Sequence, residues 1–219
     1  MLKAKLQCLS VEEFANTVTH GFGLVLSVIG CVVLVVMTSL RGDGLSVASC
    51  VVYGLSLVIL YAASTFYHST VTPHRKRILQ MVDYCCIYLL IAGSYTPFML
   101  IVLRSGWGVG MLVFVWTLAL LGILMRIIYR DRFNAVGIAM YLIMGWIGVI
   151  AAQPLYYAIG IMPVLLVIAG GITYTLGMIF FGWKSLRHHH AIFHLFVLAG
   201  SIIHYAVVVI YVIPHTVNL

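Results

Sequence analysis

Apolar residues run for about twenty positions at a time along this chain, and short polar interruptions cut the runs. Seven such runs lie at roughly 17–39, 45–68, 79–103, 107–127, 134–153, 161–183 and 190–213. Each is near the length that lets a helix cross about 30 Å of hydrocarbon. Arg41-Gly42-Asp43-Gly44 ends the first run, and Pro73-His74-Arg75-Lys76-Arg77 separates the second from the third. Arg104-Ser105-Gly106 follows the third, and Arg130-Asp131-Arg132 follows the fourth. Pro154 and Pro163 are expected to bracket a neutral loop after the fifth. The pattern predicts an all-α integral membrane protein, with residues 1–219 forming one seven-transmembrane-helix bundle.

Composition agrees. The 219 residues are 63% hydrophobic and 8% charged, where a soluble domain carries about 25% charge. The short polar breaks leave no room for a soluble domain. The net charge of +7 does not point to nucleic acid, because the basic residues sit in loop clusters. Placing the N-terminus inside puts ten Lys and Arg residues on the inner side and only Arg41 and Arg104 outside. That imbalance predicts a cytoplasmic N-terminus and an outside C-terminus. Localisation follows as a multi-pass integral membrane protein. The cysteines, Cys8, Cys31, Cys50, Cys85 and Cys86, are odd in number and mostly within apolar runs. They read as free thiols rather than a disulfide framework. The first run follows Glu12 and Glu13 and is a full span long, so it reads as a helix and not as a cleavable signal.

Against this background the polar residues stand out, since ionisable groups at membrane depth are costly. Ser64 and His68 close the second run, Asp83 opens the third, and His190 and His194 open the last. With the predicted topology all five fall at the inner leaflet. Three imidazoles and a carboxylate at one depth point to a metal site inside the bundle. His190 and His194 are spaced i, i+4 and project from one helix face, as two grips on one ion do. Interfacial placement is the alternative for that pair taken alone. Ser64 and His68 share the spacing, although a membrane serine commonly bonds its own backbone or a neighbouring helix. Asp83 alternatively caps the start of the third helix, where the dipole favours an anion.

Glu13, Asn16 and His20 form an i, i+3, i+7 stripe at the same end of the first helix. Capping and helix packing are their default roles, and support of the metal shell is a second. His188 and His189 have no partner at i, i+4 and are assigned to a wet loop. His204 lies about 15 Å beyond His194 along a straight helix, too far to share an ion, and is expected to bond between helices.

At these positions the chain resembles the progestin and adipoQ receptor family, on its bacterial haemolysin III branch. The resemblance rests on Glu13-x-x-Asn16 with His20, on Ser64-x-x-x-His68, on Asp83-Tyr84 followed by Leu90-Ile91-Ala92-Gly93-Ser94-Tyr95, and on His190-x-x-x-His194. It runs in order from the first helix to the seventh. It implies Zn²⁺ near the cytoplasmic side, held by His68, His190 and His194. Asp83 would hold the catalytic water, and Ser64 would lie beside it. Relatives in the same broader group include alkaline ceramidases, and bacterial members are linked to haemolysis and to control of membrane lipid composition. The long soluble N-terminal region of the eukaryotic receptors has no counterpart here, so their ligand recognition does not carry over.

Combined with the site chemistry, this resemblance points to a zinc-dependent lipid amide hydrolase acting on an amide- or ester-linked lipid of the inner leaflet. Asp83 and Ser64 would be catalytic, membrane lipids would be the partners, and nucleic acid is excluded. The alternatives are a non-catalytic sensor whose zinc ties the second, third and seventh helices together, a pore-forming haemolysin, and a transporter. Almost no midplane charge argues against the pore. The lack of an internal repeat, with Pro97 a lone kink candidate, argues against the transporter. Manganese or iron remains chemically open beside zinc. Small residues in the fifth helix (Gly145, Gly148) and the sixth (Gly170, Gly171, Gly177) permit close packing, within the bundle or against a second copy.

Overall fold

A computed structural model describes residues 9–216, the side chains of Asp131 and Phe133 excepted. Cys8, Lys3 and Lys5 lie outside the described residues. Within them, seven helices are long and apolar enough to cross a membrane: α1 (Val11–Arg41), α2 (Gly44–Ser69), α3 (Pro73–Val102), α4 (Gly106–Tyr129), α5 (Asn134–Ile159), α6 (Ile161–Gly182) and α7 (His189–His215). The protein is a multi-pass helical membrane bundle. Short connections make successive helices antiparallel, so the start of α1, the end of α2 and the start of α3 share one end of the bundle with the start of α7.

The faces of α1 show what kind of solvent surrounds the bundle. Its buried positions are Asn16, His20, Gly23, Ser27, Gly30, Leu34 and Thr38, mostly small or polar. Its exposed stripe is Phe14, Val18, Phe22, Val25, Ile29 and Val32. In lipid, apolar tails supply no drive to hide leucine, so helices meet through small residues and hydrogen bonds while large apolar side chains face outward. α3 is the central element, with 67% of its apolar window buried, whereas α5 and α6 reach 17% each and lie at the periphery.

Several boundaries differ from the sequence expectation. α1 starts six residues earlier, because Ser10 caps it by accepting from Glu13 N–H at 3.2 Å. α3 starts at Pro73, where a proline suits the first turn, and the basic cluster forms its first turns rather than a loop. Asp83 is therefore ten residues inside α3 and does not cap it; Thr72 occupies the N-cap position. Pro154 is inside α5 rather than at the edge of a loop. A 3₁₀ turn at Ile147–Ala151 restarts that helix, so the proline falls in a first turn where its missing N–H costs nothing. The connection to α6 is Gly160 alone, whose φ of +85° suits glycine. His189 begins α7 instead of lying in a wet loop, and its Nδ1 lies 3.1 Å from Phe180 O. His188, at φ 58°, is the turn residue before it.

Pro97 is followed by a π turn at Phe98–Val102, the wider helix that a proline inside a span produces. Cys31, Cys50, Cys85 and Cys86 are free thiols. His204 donates from Nε2 to Val167 O of α6 at 3.0 Å, as an interhelical bond. Gly170 gives its ring room, since a Cβ there would come within 2.3 Å of it. Close packing at Gly170 is thus within the bundle. At the far end from the histidines, Asp43 caps α2 and pairs with Arg104 at 2.6 Å. Hydrogen bonds from the Ser46 N–H and hydroxyl, and then from Arg104, hold its carboxyl down at about 2.

Candidate metal centre

Three histidines reach one point from two helices. His68 comes from the last turn of α2, and His190 and His194 from the first two turns of α7. Their ring centroids are 5.0 Å apart for His68 and His190, 5.0 Å for His68 and His194, and 4.5 Å for His190 and His194. One ligand atom from each ring lies within 4.8 Å of the others. These three histidines could hold a metal ion. His68 and His194 are buried and His190 is half-buried.

Hydrogen bonds on the outer side of the rings leave the inner nitrogens available. His68 Nδ1–H donates to Glu13 Oε2 at 2.6 Å, and the Asn16 amide lies 3.4 Å from the same nitrogen. The opposite nitrogen, Nε2, is buried without any protein partner. A buried lone pair aimed at two further imidazoles is the donor set a divalent ion takes. On His194, Nδ1 lies 3.2 Å from Thr19 Oγ1. The Thr19 hydroxyl donates to the backbone carbonyls of Ala15 and Asn16 at 3.0 and 2.9 Å, so its oxygen is an acceptor for the ring N–H. That puts the His194 proton on Nδ1 and leaves Nε2 for an ion. Three nitrogen donors, with no fourth ligand grouped with them among the described residues, match an open site rather than a closed structural one.

Glu13 has a second duty. Its Oε1 pairs with Lys76 Nζ of α3 at 2.8 Å. One carboxylate thus joins α1, α2 and α3 beside the histidines. His20 stacks on His194 with centroids 3.5 Å apart and planes 17° from parallel, and both its ring nitrogens are buried without a partner. Neither Thr19 nor Lys76 was legible as part of this site. A membrane threonine that returns its hydroxyl to its own helix, as Thr19 also does, carries no further signal. Lys76 is one of a run of cations in the first turns of α3, and nothing in that run marks the one that reaches Glu13.

Asp83 and Ser64 lie on the inner side of the cluster. Both are buried, at 8% and 1% exposure, and the Ser64 hydroxyl has no hydrogen-bond partner of its own, although it sits beside the Asp83 carboxyl group. They share with His20, His190 and His194 the wall of a cavity of about 630 Å³. Along α3 this cavity runs from Asp83 to Met99, roughly 24 Å at the helical rise. Its far part is lined by apolar side chains such as Leu90, Phe98 and Leu155. The buried hydroxyl of Tyr53, which has no partner, also lines it. Polar chemistry gathers at one end of a long apolar chamber inside the bundle.

A family profile described as "Haemolysin-III related" matches residues 9–205. The chain is 43% identical to Hemolysin-3 of Bacillus cereus over 203 residues, 93% of each chain. It is 43% identical to a Hemolysin-3 homolog of Bacillus subtilis over 190 residues, 87% of this chain and 89% of that protein. It is also similar to the human monocyte to macrophage differentiation factor, at 28% identity over 202 residues, 89% of this chain and 82% of that one.

Proposed function

The chain belongs to the haemolysin-III related family, and from that premise we propose that it is a metal-dependent hydrolase of amide- or ester-linked membrane lipids. The observation that carries this reading is the meeting of His68, His190 and His194, with ligand atoms within 4.8 Å, at the polar end of a cavity also lined by Asp83 and Ser64. The donor set and the family favour zinc. A zinc ion with three protein ligands keeps one position open and supplies Lewis acidity, to a water or to a carbonyl oxygen.

Each residue has a role fitted to its position. His68, His190 and His194 hold the ion. Glu13, Asn16 and His20 support them: Glu13 and Asn16 orient the His68 ring, and His20 backs the His194 ring by stacking. Asp83, the one carboxylate on the cavity wall among the described residues, accepts the proton of the attacking water and later returns it to the leaving group. Ser64, whose hydroxyl sits beside the Asp83 carboxyl group, donates that hydroxyl to the oxyanion that forms at the carbonyl. The apolar chamber holds the acyl chain and excludes water from it. The excess of basic residues at this end of the bundle supports a cytoplasmic orientation for it; on this reading the lipid enters from the inner leaflet of a bacterial inner membrane and turnover adjusts lipid composition there.

The test begins with metal content by elemental mass spectrometry of purified wild type, Asp83→Asn and His194→Ala. The expected result is about one zinc in wild type and in Asp83→Asn, with none in His194→Ala. Hydrolysis of a long-chain ceramide and of the matching ester should then be lost in both variants. Turnover by Asp83→Asn at the wild-type rate would sink the catalytic reading.

One observation favours a second reading. Glu13 links His68 to Lys76, so the metal centre is bonded into α1, α2, α3 and α7 together. An ion there would act as a conformational staple in a non-catalytic sensor. In that case Asp83→Asn keeps full biological function, and loss of any of the three histidines abolishes it.

A further inference from the structure

Arg126 is 5% exposed on the inner face of α4, level with the metal centre. Its guanidinium carbon lies 3.9 Å above the ring of Tyr84, the neighbour of Asp83. Its Nη1 donates to Arg130 O at 3.0 Å and to Asn134 Oδ1 at 2.6 Å. Both acceptors are neutral. The ion pairs among the described residues are Glu13 with His68, Glu13 with Lys76, and Asp43 with Arg104, so none neutralises this charge. Arg126 lines the same cavity as Asp83 and His190, and Lys184 stands at that end as a second cation.

A cation buried at membrane depth with no counter-anion among the described residues requires an account. Capping the end of α4 accounts for the two N–H groups on Nη1 only, and a glutamine amide could supply those. The remaining N–H groups, on Nη2 and Nε, have no acceptor among the described residues. A guanidinium presents a fork that matches two oxygens of a carboxylate or phosphate. The missing charge therefore has the chemistry of an oxyanion, and its place is the polar end of the cavity.

We infer that this end of the cavity binds an anionic lipid headgroup, a carboxylate or a phosphate, with Arg126 as the recognising residue and Lys184 as a second cation at the entrance. This rests on the reading of the cavity as a lipid site and narrows the substrate class. The preferred lipid carries its negative charge within a few bonds of the scissile carbonyl, as an N-acylated amino acid or a lysophosphatidate does. Neutral ceramide is then the poorer ligand. Recognition works by position: Arg126 holds the headgroup beside Asp83 while the acyl chain lies along α3.

The experiment is native mass spectrometry of the full-length protein in detergent, titrated with three probes of equal chain length. N-oleoylglycine carries a carboxylate, 1-oleoyl lysophosphatidate a phosphate, and N-oleoylethanolamine is the neutral counterpart of the first. Wild type should bind at least one anionic probe about tenfold more tightly than the neutral one. The identity of that probe separates carboxylate from phosphate as the natural source. Arg126→Gln should bind all three alike, at the affinity of the neutral probe, with its metal content unchanged. Equal binding of the three by wild type overturns the inference, as does a preference that survives in a folded Arg126→Gln. If that variant does not fold, Arg126→Lys carries the test: its preference for the carboxylate must fall, because an ammonium cannot match both oxygens, and an undiminished preference overturns the role of Arg126. A headgroup preference without metal or turnover would sink the hydrolase and leave this inference standing. Turnover of the neutral amide with no preference for anions would do the reverse.

Discussion

At the scale of residues, the proposed function divides the site into groups that would hold an ion and groups that would act beside it, and substitution separates them. Asp83→Asn keeps the shape of the side chain and removes a base, so lipid amide turnover should fall by about 10²–10⁴-fold with zinc retained. Ser64→Ala should cost about 10²–10³-fold in kcat if its hydroxyl serves the oxyanion, again with zinc retained. Glu13→Gln weakens the bond that orients His68, and zinc affinity should drop by about 10–100-fold in competition with a chelator. An unchanged affinity would assign Glu13 to its pair with Lys76 instead. The i, i+4 spacings of Ser64 with His68 and of His190 with His194 made most of these groups visible in the chain before any fold was known. Asp83 was visible too, but its depth was not. It lies ten residues inside α3, which removes the capping alternative, and only the position of Pro73 as the helix start decides that. The stacking of His20 on His194 and the bond from His194 to Thr19 depend on how α1 rotates against α7, which no spacing within either helix encodes.

Among the helices, existence followed from the apolar runs while the ends followed from capping chemistry. Ser10 and Asp43 begin α1 and α2 because their side-chain oxygens accept N–H groups the first turn leaves free. The Asp43 carboxyl is held below its usual range, so its folded-state stabilisation is fully present above about pH 4 and is lost as pH falls through about 2. Asp43→Ala should therefore melt below wild type in detergent at pH 5 to 8, with the gap closing toward pH 2. Pro154 misled the sequence reading because a proline ends a continuous helix but is harmless where a 3₁₀ turn restarts one. Helix packing adds a further check. Gly170→Ala would place a Cβ within 2.3–2.4 Å of the His204 ring and strain its bond to Val167 O. A loss of roughly 1–3 kcal/mol is expected from such overpacking, read as a lower melting temperature in detergent. A neutral result would mean that α6 and α7 adjust their spacing without cost.

For the molecule as a whole, an ion at the three histidines would tie α2 to α7, with Glu13 and Thr19 of α1 bonded to the same rings. Stripping the metal should lower the melting temperature of wild type, and adding zinc back should restore it, since a ligand present at a thousand times its dissociation constant stabilises by about 4 kcal/mol. The same shift should survive in Asp83→Asn and vanish in His194→Ala. The chain alone determined that seven helices span a membrane, because hydrocarbon leaves every backbone group to be bonded within its own helix and the apolar runs must match the bilayer. It also determined that the chemistry gathers at one end, because antiparallel spans return the end of α2 and the starts of α3 and α7 to the same side. Tertiary structure alone decided that three imidazoles come within 4.8 Å of one another, that Lys76 and Thr19 join them, and that Arg126 faces the cavity without a counter-ion among the described residues. In lipid no difference in hydrophobicity sorts the faces of a helix. Small residues and scattered hydrogen bonds set the rotation of each helix against its neighbours, and those contacts exist only between segments far apart in the chain.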